Sequence, residues 1–230
     1  MDALLAPLKS ASDASFDPVG EANHRIANSL ALLTGLVRMQ ATSIKKKGAS
    51  CSSAEVCHLL DGVAARITTV SQLHRILSQT RPDGVVNMKP HLQEVTAALV
   101  AALSSPDHQV RVVHCGADCL VLMRHVQPIV LIISEIFINA LKYAHPSGVP
   151  LIMVVDCEPT PDGWLLLTIS DDGVGLPEGF VPESDGGMGF KLMYRLAQEI
   201  GSELKVLSTH LGLSFRLSLP AGAMAGAKLA

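Results

Sequence analysis

The chain of 230 residues sets 18 Lys and Arg against 21 Asp and Glu, a formal net charge of −3, and that balance excludes a polyanion-binding surface spread over the whole protein. One Trp, two Tyr and five Phe, 3% of the chain, are too few rings for a single-strand stacking platform, so no nucleic-acid partner is expected. A hydrophobic fraction of 48% and a mean hydropathy of +0.35 supply the core of one large domain or two small ones.

No apolar run reaches the roughly 18 to 20 residues that a membrane span needs. The nearest, 129–141, is broken by Ser134, Glu135 and Asn139, so no membrane insertion is expected. Asp2 and the lack of a basic leader before an apolar stretch do not fit a secretory signal, and the expected location is cytoplasmic. Five cysteines (Cys51, Cys57, Cys115, Cys119 and Cys157), odd in number and without Cys-x-x-Cys spacing, argue against a disulfide framework and the common zinc sites. His114, Cys115 and Cys119 read as strand and turn residues around a bend rather than as metal ligands.

Residues 1–16 are small and polar and residues 221–230 carry almost no pattern, so both ends are expected to fray. Asp17-Pro18 offers an N-cap and a first-turn proline, and Ile26, Leu30, Leu33, Val37, Gln40 and Ile44 follow at alternating steps of four and three. After a polar stretch the pattern resumes through Val56, Leu60, Val63, Ile67, Val70, His74 and Leu77. Two long helices in an antiparallel hairpin are predicted over 17–81. Leu32, Leu36 and Met39 on the first, and Leu59, Leu73 and Ile76 on the second, widen each stripe beyond what one partner helix covers. Two hairpins pairing into a four-helix bundle would cover it, which predicts a homodimer.

Arg81-Pro82-Asp83-Gly84 ends the second helix, and a different pattern fills 85–220. The expected order is a short extended piece at Val85, a helix over 90–103, strands at 110–114 and 120–124, and a helix over 128–143. Strands at 151–157 and 164–170, a glycine-rich loop to Gly187, a helix to Ile200 and strands at 203–208 and 213–219 complete it. That order predicts an α+β chain, its second part an α/β sandwich with helices on one face of a mixed sheet.

Three pieces carry chemistry. Glu135 and Asn139 lie four apart on an otherwise apolar helix, with Lys142 and Tyr143 beside them; polar groups there are costly unless they face a site or find partners. Asp171-Asp172-Gly173-Val174-Gly175 follows an apolar strand, where a carboxylate can accept from an exocyclic amine and glycines admit a flat ligand. Gly186-Gly187-Met188-Gly189 opens a helix whose bare N–H groups suit phosphate.

In that order and spacing the three pieces resemble the GHKL (Bergerat) ATP-binding fold of histidine kinases, with Asn139 in the N-box, Asp171, Gly173 and Gly175 in the G1 box, and Gly187 and Gly189 in the G2 box. The resemblance implies ATP and Mg²⁺ as cofactors: Asn139 as metal ligand, Asp171 on the adenine amine, the G2 backbone on phosphate, and Lys142 and Tyr143 as further nucleotide contacts. The loop 176–186 is then a small lid expected to order with ATP.

His24-Arg25-Ile26-Ala27-Asn28 is similar to the phosphoacceptor box of HWE-like histidine kinases, and the stretch from Arg66 to His74 to the second helix of that module. This implies autophosphorylation on His24, two residues before the seam and so off the packed stripe, with Asn28 a turn further on the same face. The phosphoryl group would pass to the aspartate of a response-regulator receiver domain. Arg25 stands where commoner kinases have an acid, which leaves Glu135 as the candidate base. Only 16 residues precede the first helix, so no sensor domain is expected and input would come from an upstream sensor protein. A phosphotransferase or regulator phosphatase with weak or no ATP use, a GHKL ATPase, and a non-catalytic interaction module remain the alternatives.

Overall fold

A computed structural model describes residues 20, 23, 27, 30–31, 34–35, 37–38, 41–42, 52–77, 84–104, 109–145 and 149–220. His24, Asn28, the linker residues 81–83, the ends 1–16 and 221–230, and the seam residues Ile26, Leu33, Gln40 and Ile44 lie outside the described residues. The described positions from 20 to 42 are helical, as the spacing predicts.

Helix α1 (Ser53–Leu77) is the predicted second helix of the hairpin. Ala65, Thr69, Leu73 and Ile76 are buried at helical steps, but against the following part of the same chain rather than a bundle partner. The extra width that Leu73 and Ile76 give the stripe is therefore met within the chain. The seam residues Val56, Leu60 and Ile67 stay exposed, as do Leu30 and Val37 of the first helix.

Strand β1 (Val85–Asn87) leads directly into α2 (Met88–Leu103), whose N-terminus the Asn87 side chain caps by accepting from Lys89 N–H at 3.1 Å. Met88, Leu92, Val95 and Leu99 form its buried face. β2 (Val110–His114) and β3 (Leu120–Leu122) follow, and β3 pairs antiparallel with β1 in a small separate sheet.

Helix α3 (Met123–Tyr143) starts five residues before the predicted proline. Pro128 is not at the first turn but inside the helix, where it gives up one backbone bond; burial of Val126, Ile129, Val130, Ile132, Ile133, Ile136 and Phe137 outweighs that loss. By length and composition α3 is also the one described helix apolar enough to cross a membrane, yet 67% of that window is buried inside the protein.

β4 (Leu151–Pro159), β5 (Trp164–Asp171), a short helix α4 (Pro182–Asp185), α5 (Met188–Glu199), β6 (Leu204–Thr209) and β7 (Gly212–Pro220) complete the chain. The main sheet has the order β2-β4-β5-β7-β6, with β2 and β4 parallel and the other pairs antiparallel. Its inward face, Met153 and Val155 on β4 and Leu165, Leu167 and Ile169 on β5, is buried in one core with α3 and α5. The helical N-terminal part followed by helices on a mixed sheet is the predicted architecture.

Candidate functional site

Strict alternation along β5 turns Leu165, Leu167, Ile169 and Asp171 inward, so Asp171 takes the last position of an otherwise apolar row. It is only 9% exposed. Oδ1 accepts from Gly173 N–H at 2.9 Å and from Leu213 N–H at 3.2 Å, and both bonds fall on that one oxygen. Burial lifts the Asp171 carboxyl above the ordinary aspartate range; the two N–H donors pull against it, Asp172 adds to the rise and His145 eases it.

The loop after Asp171 is fastened to the end of α3. Val174 N–H donates to Ala144 O at 2.9 Å, and His145 Nε2 lies 2.9 Å from Asp172 Oδ1. A Cβ on Gly173 would stand 2.5 Å from that of Ala144, so any side chain there would push the loop off the helix. Gly175 has φ +72° and lies against the Thr209 carbonyl, a conformation and an approach that favour glycine. Leu176 N–H then reaches Ser208 Oγ at 2.7 Å, a contact to β6 with no signal in the sequence.

On the other side of α3 the glycine turn opens α5, with Gly187 as its N-cap and open space where its side chain would be. A Cβ on Gly189 would meet Glu135 Oε2 at 3.0 Å and the Asn139 amide at 3.5 and 3.6 Å. Asn139 Nδ2 is buried without a hydrogen-bond partner. The last turns of α3 thus stand between Gly173 on one flank and Gly189 on the other. Lys142 and Tyr143 are exposed, with the Lys142 ammonium 5.0 Å from the Tyr143 ring centre.

Glu135 differs most from expectation. A base must stand open toward a water or an imidazole, but Glu135 is 2% exposed and both its oxygens accept from Arg66 of α1, Nε at 2.6 Å and a terminal nitrogen at 2.8 Å. Arg66, itself 5% exposed, gives its remaining terminal nitrogen to Gly62 O at 3.1 Å. The resemblance places Arg66 only at the start of the stretch similar to the module's second helix and gives it no role; the signal in the sequence is an arginine on the spacing 62, 66, 69, 73, 76, four residues after a glycine.

Residues 176–186 contain the turn of helix α4, and Tyr194 O–H donates to Glu183 at 3.0 Å while the Phe180 and Phe190 rings meet at a tilt with centroids 6.2 Å apart. The segment is therefore tied to α5 by its own side chains. His114, Cys115 and Cys119 do not form a metal cluster: His114 bonds Thr96 at 2.9 Å, Cys119 is a buried free thiol, and Cys115 is exposed.

Comparison with known proteins follows this geometry closely. The family described as "Histidine kinase" matches residues 21–103, and the family described as "Histidine kinase-, DNA gyrase B-, and HSP90-like ATPase" matches residues 125–223. The chain thus carries a histidine kinase family segment followed by a segment of that ATPase family. Its kinase relatives include the sensor histidine kinase PdtaS of Mycobacterium tuberculosis, 25% identical over 77% of this chain and 34% of that protein. Another is the blue-light-activated histidine kinase 2 of Erythrobacter litoralis, 22% identical over 88% of this chain and 56% of that one. The chain thus spans about a third to just over half of these curated relatives. In fold it is similar to the histidine kinase domain of the Erythrobacter litoralis EL346 blue-light-activated kinase, with a TM-score of 0.61 at 20% identity over 88% of this chain and 93% of that one. Within the chain the helical segment with Arg66 falls in the first match, and Glu135, Asn139, Asp171 and the glycine turns in the second, whose ATPase class implies ATP binding.

Proposed function

We infer that the chain is an ATP-dependent protein-histidine kinase that phosphorylates itself on His24 and passes the phosphoryl group to an aspartate of a response-regulator receiver domain. The observation that carries this reading is that the Gly189 turn lies against Asn139 while the G1 loop is fastened at Ala144, just past the end of the same helix, in a chain that also holds an H-R-x-x-N box. Asp171 is the acceptor for the adenine amine, its Oδ1 fixed by two backbone donors and its other oxygen turned to the ligand. Gly187 and Gly189 present bare N–H groups at the start of α5 to the phosphates. Asn28, a turn from His24, orients the ring, and Lys142 and Tyr143 complete the rim.

Mg²⁺ fits this donor set, because it is commonly held by one or two protein ligands plus substrate phosphates. Asn139 offers one amide oxygen as the ligand, and among the described residues no cluster of three or more His, Cys, Asp or Glu forms a cage. The chemistry it supplies when bound is neutralisation of the β and γ phosphates, with Asn139 as the residue that holds it. A ring nitrogen of neutral His24 attacks phosphorus in line, the N–P bond forms, and the bridging P–O bond breaks to release ADP. The nucleotide must reach His24 and His24 must then be free to meet the receiver aspartate that takes the group. The domain limits 17–81 and 85–220, a cytoplasmic location, a homodimer and an upstream sensor partner belong to the same reading.

The test is incubation with Mg-ATP labelled at the γ position. Wild type is expected to acquire an acid-labile, base-stable label that His24→Ala abolishes; equal labelling of the variant refutes the assignment.

A further inference from the structure

We propose that Arg66, although carried by helix α1, acts on the nucleotide site through Glu135: it cancels the charge of that carboxylate so that the Gly187–Gly189 turn can accept a polyphosphate. The proposal rests on the nucleotide reading above. Three observations carry it. Glu135 is 2% exposed and its Oε2 lies 3.0 Å from where a Gly189 side chain would begin, so its charge sits against the turn that must receive anions. Arg66 meets that carboxylate with two parallel bonds at 2.6 and 2.8 Å and is the one residue recorded bonding to it among those described. Gly62 then lets α1 approach, since a Cβ there would come 3.2 Å from the Arg66 terminal nitrogen and 3.7 Å from Ile138.

The consequence is electrostatic. With α1 docked but the Arg66 charge removed, a buried anion would stand one turn from Asn139, and phosphates entering beside it would meet like charge in a poorly solvated place. With Arg66 docked the pair is neutral, and the N-terminus of α5 is left to the incoming phosphate. Docking of α1 and occupancy of the site are thereby linked, and each strengthens the other by the same factor. A different ion pair of α1, Arg75 with Glu94 of α2 at 2.6 Å, has side chains 54% and 49% exposed and provides the control.

Calorimetric titration of the full chain with metal-free ADP separates this from a merely structural role. Removing either partner breaks the same contact, but the two removals leave opposite charges behind. Arg66→Gln is expected to weaken ADP binding by about tenfold or more. Glu135→Gln, which leaves the cation, is expected to hold or tighten it. The double variant should return close to wild type, Arg66→Lys should keep most of the affinity, and Arg75→Gln should change nothing. Hydrogen exchange along 60–73 should slow when ADP is added to wild type and not to Arg66→Gln.

Weakening of equal size in Arg66→Gln and Glu135→Gln, or an unchanged Arg66→Gln, overturns the proposal. Should Arg66→Gln fail to fold, the sign for Glu135→Gln decides alone, weakening being fatal. Wild type that does not bind ADP at all overturns the nucleotide reading and this proposal with it, whereas binding that Asp171→Asn abolishes and Arg66→Gln spares overturns only this proposal.

Discussion

Asp171 occupies a place that the alternation of β5 would otherwise give to a leucine or isoleucine, and the molecule carries the cost of that choice. Burial disfavours the ionised form and raises the carboxyl pKa above the ordinary aspartate value. For an acid shifted in that direction, the folded state binds its proton more tightly than the unfolded chain does. Its contribution to stability is then present below the ordinary value and is lost as pH rises through the raised one. Asp171→Asn, which keeps an oxygen for the Gly173 and Leu213 donors, should therefore melt at or above the wild-type temperature at pH 7. The same variant should bind adenine nucleotide at least tenfold more weakly, since its amide presents a donor to a donor. In wild type, nucleotide affinity should fall on acidification from a pH above that of a free aspartate, and in Asp171→Asn that step should vanish. Calorimetry across pH 4 to 7 (approximately) reads both effects. A variant that loses stability and keeps affinity would assign Asp171 to the core alone.

At the scale of elements, α3 is both the centre of the core and the beam on which the site is built. Its apolar residues face α5 and the sheet, while Glu135 and Asn139, four apart, both border Gly189 at the start of α5. The polar pair is held where it is because the helix has so few degrees of freedom left once Ile129, Ile132, Ile133, Ile136 and Phe137 are buried. Helix α1 is fixed to this unit by Ala65, Leu73 and Ile76, each no more than 2% exposed. Leu73→Ala is expected to cost about 2–5 kcal/mol, the range for a leucine deleted from a packed site. Urea unfolding should show that loss in a single transition shared by α1 and the sheet. If α1 instead melts separately and the sheet keeps its stability, the helix is an appendage rather than part of the core.

For the whole molecule, the faces of the hairpin that the α/β part leaves bare define the next contact. Leu30, Val37, Val56, Leu60 and Ile67 are each between 37% and 58% exposed, and on α1 they alternate with the buried residues around the helix. Single exposed aliphatic residues are ordinary, but a row of them along two helices in one chain is the pattern of a seam between copies. Replacing Leu60 and Ile67 together by Glu should leave the circular dichroism and ADP affinity unchanged while converting a dimer to a monomer in sedimentation. A wild-type chain that sediments as a monomer at tens of micromolar, approximately, would remove the bundle from the reading.

The sequence alone determined the elements and the three motifs, because periodicity and glycine placement act over a few residues and are read without knowing the fold. A strand that ends in Asp-Asp-Gly and a helix that begins at Gly-Gly-Met-Gly announce their geometry locally, and β5 and α5 form where those signals stand. Pro128 misled for the same reason: a local rule places proline at a helix start, whereas the burial of α3 on every side extends the helix five residues further back. Only the tertiary structure decided what depends on residues distant in the chain. Arg66 and Glu135 are 69 positions apart, and nothing local to either says that one fork will close on the other. The same holds for Leu73 and Ile76, whose apolar stripe was legible but whose partner was not, since hydrophobic burial fixes that a face is covered and leaves shape and chain connectivity to choose by what.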